Sequence, residues 1–192
     1  MDLSKITYNY FLVLFILIPI SIILGSTISL INILLIDISF IFLIILRGDY
    51  SFLKKDSVKY LFILYLYLIF NSLISIDITS GIYRNFGFVR IIILFLAFNF
   101  LLNQKFFLDR LLKSWFIIIS IVIFDVYFEY FNGTNLLGFP LTREESISFG
   151  PRLVSFFKDE PIVGGFINAF YLVLIGFFAN KYNFEQKKLI FL

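Results

Sequence analysis

The chain contains no cysteine and no histidine. Without cysteine there is no disulfide framework, no thiol nucleophile and no thiolate metal site. Without histidine the usual proton shuttle and the commonest metal ligand are missing too. Any chemistry must then rest on carboxylates, arginines, tyrosines or backbone groups, and no metal or other cofactor is expected. Charge is also scarce: 16 Lys and Arg against 13 Asp and Glu among 192 residues, a net +3. So small an excess, scattered between apolar blocks, points away from a nucleic-acid partner. The motifs of soluble enzymes are missing as well. There is no phosphate-binding Gly loop, no Gly-x-Ser-x-Gly elbow, no paired metal ligands, no internal repeat and no heptad pattern.

What the chain has in abundance is apolar side chain. Hydrophobic residues make up 60% of it and aromatic residues 21%, beyond the range of a soluble domain. They come in blocks of about 20, the run that crosses a hydrocarbon core of ~30 Å. Each block must satisfy its own backbone in lipid, so each is read as a helix. The expected spans are Tyr8 to Leu24, Ile28 to Leu46, Val58 to Ser75, Phe86 to Leu102, Leu112 to Phe131 and Pro161 to Asn180. The tail "KKLIFL", 187–192, opens a seventh. Gly25-Ser26 does not resemble an Ala-x-Ala cleavage site, so the first block is read as a retained helix. The expected fold is an all-α polytopic membrane protein, one transmembrane helical domain over 1–192.

Basic residues set its orientation. A cytoplasmic N-terminus with alternating loops puts Lys5, Arg47, Lys54, Lys55, Lys59, Lys105, Arg110, Lys113, Lys181, Lys187 and Lys188 inside. Only Arg84, Arg90, Arg143, Arg152 and Lys158 remain outside. The positive-inside rule favours that arrangement, which makes the longest polar segment, about 132–160, external. The basic clusters at 54–59 and 105–113 are read as topology determinants facing anionic lipid. Tyr8, Tyr10, Tyr127, Phe128, Tyr130 and Phe131 are read as interfacial belts. The Asn132-Gly-Thr134 sequon is too short to carry weight.

The remaining signal is charge near or within the spans. Asp125 and Glu129 are four residues apart, hence on one helical face, with Glu129 close to the outer end of the fifth span. Arg90 lies about a turn inside the outer end of the fourth span, and Arg84 just before it. With Arg152 from the following loop, these residues could share one outward-facing charged cavity. Charges in a membrane usually face protein or water and often mark function. Two readings of Arg90 stand side by side: an ion pair with Asp125 or Glu129 that locks two helices, or a binding group. Asp37, mid-span in the second helix, is open in the same way and has no nameable partner. Gly165 and Ala169 form a small-x-x-x-small step that suggests close helix packing. In "RLVSFFKDEPIVGGF", 152–166, Asp159 and Glu160 precede Pro161 and suit the positive end of the sixth helix, but capping leaves Arg152 unexplained.

The string "DVYFEYFNGTNLLGFP", 125–140, followed by "GPRLVSFFKDEPIVGGFI", 150–167, resembles the O-antigen ligase and O-antigen polymerase family. That family pattern runs from an Asp-x-x-x-Gln helix end into an aromatic-Gly-x-Asn segment, then an Arg and Phe-x-Asp-Glu-x-x-x-Gly. "FVRIIILF", 88–95, is similar to the family's arginine-bearing fourth helix, and "PISIILG", 19–25, to its first helix end. The resemblance implies a glycosyltransferase of the bacterial inner membrane, acting in lipopolysaccharide or surface polysaccharide assembly. Its substrate is a glycan on undecaprenyl pyrophosphate at the periplasmic face, and its acceptor is lipid A core or a growing glycan. It implies pyrophosphate binding by Arg90 and Arg152, with Arg84 as a further candidate. Asp125 or Glu129 would orient or deprotonate the acceptor hydroxyl. A guanidinium suits the first task, since its planar, permanently charged fork matches phosphate oxygens and offsets charge on a leaving group.

The chain departs from the pattern in two places. Glu129 stands where the family has Gln, and the sequence stops before the large external loop that carries the family's functional arginine. The expectation is therefore an N-terminal portion with an incomplete active site. Two other classes stay open: a polytopic lipid or polysaccharide transporter whose path these charges line, for which Pro19 and Gly25 are the hint of broken helices, and a non-catalytic membrane subunit.

Overall fold

The computed structural model describes residues 3–48, 50–102, 107–139, 153–157 and 162–181. They form six α-helices: α1 Leu3–Leu24, α2 Ser26–Arg47, α3 Asp56–Leu73, α4 Ile78–Leu101, α5 Phe107–Asn132 and α6 Val163–Lys181. Two 3-10 turns occupy Ser51–Lys54 and Ser155–Phe157. No strand occurs among the described residues. Four helices are long and apolar enough to cross a membrane: α1 over Thr7–Leu24, α2, α4 and α5. The chain is therefore a multi-pass membrane protein. α3 is 18 residues long with Asp56 and Lys59 in its first turn, and α6 is a shorter apolar helix over Val163–Ala179. The tail at 187–192, Pro161 with Asp159 and Glu160, and most of the loop expected at 132–160 lie outside the described residues.

The chain divides into two compact units. The first contains residues 1–18 and 29–107, the second residues 19–28 and 108–192. α1 runs unbroken through Pro19 and stops at Leu24. Gly25, at φ +125°, a conformation that suits glycine, separates it from α2. Gly48, at φ +63°, ends α2 by donating its N–H to the Ile44 carbonyl at 2.9 Å.

Within the first unit, aromatic rings supply the core. Phe15, Phe98 and Phe107 form one cluster with centroids 5.8–6.1 Å apart. Phe40, Phe52 and Phe100 form another at 5.7–5.9 Å. Arg47 lies 5.8 Å over the Phe100 ring, so its charge is met by an aromatic face at the end of α2. A buried polar tie joins α1 to α2: Asn32 donates from Nδ2 to the Leu14 carbonyl at 3.2 Å.

α3 and α4 form a helical hairpin whose turn is held by polar side chains. Asp77 caps α4, accepting from the Ser80 N–H at 3.1 Å and from the Ser80 hydroxyl. Asn85 reaches back to α3 and donates to the Leu68 carbonyl at 2.7 Å and to the Ser72 hydroxyl. Beside it, a Cβ on Gly81 would stand 3.0 Å from the Cβ and Oγ of Ser72. Glycine is what lets the two helices approach. These residues explain why α4 begins at Ile78 and not at Phe86: the polar stretch before Phe86 is helix cap and hairpin seam, so the helix extends into it. Among the described residues no close approach forms at Gly165, where a Cβ would meet nothing within 4 Å. The tight seam is at Gly81.

In the second unit, aromatic contacts join α5 and α6. Trp115 meets Phe170 edge-on at 5.1 Å, and Phe116 meets Phe178 at 6.0 Å. Phe166 bridges Phe170 at 4.8 Å and Phe157 at 5.1 Å, which anchors the second 3-10 turn on α6.

Two outcomes follow from the hairpin. Gly81→Val should overpack the Ser72 contact and lower unfolding stability in detergent by about 1–3 kcal/mol, whereas Gly87→Val, with open space around it, should cost clearly less. Equal losses would refute the seam. The Ser80 hydroxyl and N–H hold the Asp77 carboxyl below its ordinary value of 3.8. A group depressed in the folded state stabilises above its unfolded pKa and loses that contribution as pH falls through the folded value. Thermal stability should accordingly drop as pH falls from about 4, and Asp77→Asn, which keeps a capping oxygen, should flatten that part of the profile.

Candidate functional site

Two groups of charged residues stand out, one in each unit. In the first unit, α4 presents an open groove of about 480 Å³ lined by Tyr83, Arg84, Gly87, Phe88, Arg90 and Ile91. Tyr83, Gly87 and Arg90 are spaced by four and three and so share one helical face, while Arg84 and Ile91 border it. Both guanidiniums are exposed. Arg84 lies in the second turn of α4, inside the helix and not before it, and Arg90 lies near the helix midpoint. Both follow from the earlier start of α4. Two permanent cations on an apolar helix, flanked by aromatic rings and a glycine that keeps the surface low, make a groove suited to a multiply charged anion.

In the second unit, Asp125 and Glu129 are fully buried on α5. Their shared helical face brings both to one residue, Ser155. Glu129 accepts the Ser155 N–H at 2.7 Å and the Val154 N–H at 3.2 Å from each of its oxygens. Asp125 accepts the Ser155 hydroxyl through Oδ2 and the Leu136 N–H at 2.8 Å through Oδ1. Ser155 is held at φ +51°, a left-handed conformation that costs an L-residue roughly 1–2 kcal/mol. Its carbonyl accepts from the Nδ2 of buried Asn135. Asn135 Oδ1 accepts the Leu137 and Phe139 N–H groups at 3.0 and 2.8 Å, which folds 135–139 into a compact turn with Gly138 at φ +83°. Two carboxylates thus organise the stretch after α5 and the 3-10 turn before α6.

Of the residues singled out in the sequence, Arg84 and Arg90 come together on one groove, and Asp125 and Glu129 come together on Ser155. Arg152 lies outside the described residues. Asp37 is buried on α2, and among the described residues neither of its oxygens is hydrogen-bonded. Glu129 also gains a reason to be Glu: Oε2 accepts both N–H groups, and Oε1 accepts Val154 as well, where the amide nitrogen of a Gln could not. Tyr127, Tyr130 and Phe131 are exposed at the end of α5.

Sequence reasoning missed Ser155 and Asn135. Asn135 carried a signal, because Asn followed three residues later by Gly is turn chemistry. Ser155 carried none, since a left-handed serine is specified by its tertiary bonds. Among the described residues no group of three or more acidic side chains is placed to hold a metal ion.

Glu129→Leu should leave the Val154 and Ser155 N–H groups buried without an acceptor, at about 1–3 kcal/mol each. Limited proteolysis should then open the chain between 139 and 162 faster than in the wild type, with Glu129→Gln between the two. Unchanged cleavage in Glu129→Leu would refute the clamp. Compared with protein-family models, curated proteins and solved structures, the chain matches none.

Proposed function

We propose that the chain is a membrane component of lipid-linked glycan transfer, of the O-antigen ligase or polymerase kind, in a bacterial inner membrane. The observation that carries this reading is the Arg84–Arg90 groove on α4. A lipid pyrophosphate presents several negative oxygens at membrane depth, and guanidiniums on a membrane helix are the side chains suited to hold them. In transfer from such a donor, the bond between the sugar carbon and the pyrophosphate oxygen breaks, the acceptor hydroxyl forms the new bond, and negative charge grows on the leaving group. Arg90 and Arg84 offset that charge and so favour the transition state over the ground state, with Arg152, outside the described residues, carried over from the sequence as a further anion-binding candidate. Acceptor activation is separate from this role.

The buried carboxylates fit the scheme as positioning groups. Asp125 and Glu129 have their oxygens occupied by Leu136, Val154 and Ser155. In the proposed mechanism they hold the stretch after α5 and the 3-10 turn before α6 in place, and activating an acceptor hydroxyl falls to other groups.

Arg90→Ala and Arg152→Ala, each made in the intact gene and checked for normal protein level, should deplete surface glycan on gels and leave undecaprenyl-linked donor unconsumed. Normal glycan in both variants would overturn the proposal. Loss of glycan with the donor held at the cytoplasmic face would place the protein upstream of transfer, as a transporter.

A further inference from the structure

The connection between α2 and α3 carries charge that the scheme above does not use. Residues 47–59 hold four basic side chains, Arg47, Lys54, Lys55 and Lys59, against two acidic ones, Asp49 and Asp56. Lys59 is paired with Asp56 at 2.8 Å, and Asp49 lies outside the described residues. Arg47, Lys54 and Lys55 are exposed and form no ion pair among the described residues.

The fold fixes where these three cations stand. α2 stops at Arg47, and the 3-10 turn Ser51–Lys54 follows. That turn is pinned by buried Phe52, which packs on Phe40 of α2 at 5.7 Å and on Phe100 of α4 at 5.9 Å. Arg47 lies over the same Phe100 ring at 5.8 Å. The guanidinium and the turn that ends in Lys54 therefore rest on one aromatic side chain, and Lys55 follows directly as the residue before α3. A guanidinium stacked on a ring keeps its N–H edge for oxygen acceptors. Exposed Tyr50 and Leu53 give the turn an apolar side next to its cations. α2 is long and apolar enough to cross a membrane and ends at Arg47, so the cluster stands at the level of lipid headgroups.

We infer that Arg47, Lys54 and Lys55 form a seat for the phosphate headgroup of an anionic membrane lipid. Setting a chain's orientation needs only a count of positive residues on one side. A seat needs particular cations held together, and the contacts of Phe52 and Arg47 with Phe100 do that. Attraction to anionic lipid falls off within a Debye length, so it favours cations fixed at headgroup level, with apolar side chains beside them to meet the acyl region. The seat is independent of the glycan-transfer reading. Phe100 lies in the last turn of α4, whereas the Arg84–Arg90 groove begins near the helix start.

The test measures how strongly the whole chain, purified in neutral detergent, retains fluorescent phosphatidylglycerol compared with the phosphatidylcholine analogue. Orientation in the cell has no bearing on that readout. Wild type should retain phosphatidylglycerol several-fold better, and the triple variant Arg47→Gln, Lys54→Gln, Lys55→Gln should lose the preference. Should the triple variant not fold, Lys54→Gln with Lys55→Gln leaves the Phe100 contacts intact and should still lower the preference at least two-fold. The control is Arg110→Gln with Lys113→Gln, which removes two charges from α5 and should keep the wild-type value. No preference in wild type, or none lost in the lysine variant, would overturn the seat. An equal loss in the α5 control would also overturn it, since bulk charge would then account for the attraction. Displacement of the lipid by inorganic phosphate at equal concentration would reassign the site to a soluble anion and overturn the lipid proposal.

Discussion

A polar group within hydrocarbon has to find its partner inside the protein, because no water is there to supply one. For backbone groups the helices meet this demand. For side chains the demand sorts the charged and polar residues of this chain into a few compact arrangements. The densest joins Asp125 and Glu129 to the N–H groups of Leu136, Val154 and Ser155 and to the Ser155 hydroxyl. Those bonds fix the only described segment between residues 139 and 162, and they hold Ser155 in a backbone conformation it would not adopt by itself. Phe157, packed on Phe166, then ties that segment to α6.

The same demand shapes the hairpin of α3 and α4. Ser72, Ser75, Asp77, Ser80 and Asn85 would be a liability on a lipid-facing helix. Here they satisfy one another and the carbonyls of Leu68 and Ser72. Gly81 brings the helices close enough for those bonds to form. Because the cap lies at Asp77, Arg84 and Arg90 become residues of a helix wall, one near its start and one near its middle. Their groove follows from where the helix begins.

Charge therefore plays two distinct roles. Where both oxygens of a carboxylate are filled by backbone donors, as at Glu129, the group organises chain and has little left for chemistry. Where a carboxylate is left without a hydrogen-bonded partner among the described residues, as at Asp37, it is free to take another role. That distinction separates residues which composition alone had grouped together. It also assigns the arginine groove and the acid clamp different parts in the proposed transfer reaction.

Much of this was legible in the sequence. The apolar blocks announced membrane helices because the thickness of the hydrocarbon core sets their length. α1, α2 and α5 begin or end within a few residues of the expected limits. The spacing of Asp125 and Glu129 announced a shared helical face, since the α-helical repeat places residues four apart side by side. The tertiary structure decided the start of α4, where polar residues read as a loop are helix cap and hairpin seam. It decided which glycine marks a close approach, because a small side chain matters only where another helix comes near. It also gave Asp125 and Glu129 their partner in Ser155, some 30 residues along the chain. Helix periodicity is a local property and can be read along the chain, whereas the donor that satisfies a buried carboxylate arrives from a distant segment and is settled only when the chain folds.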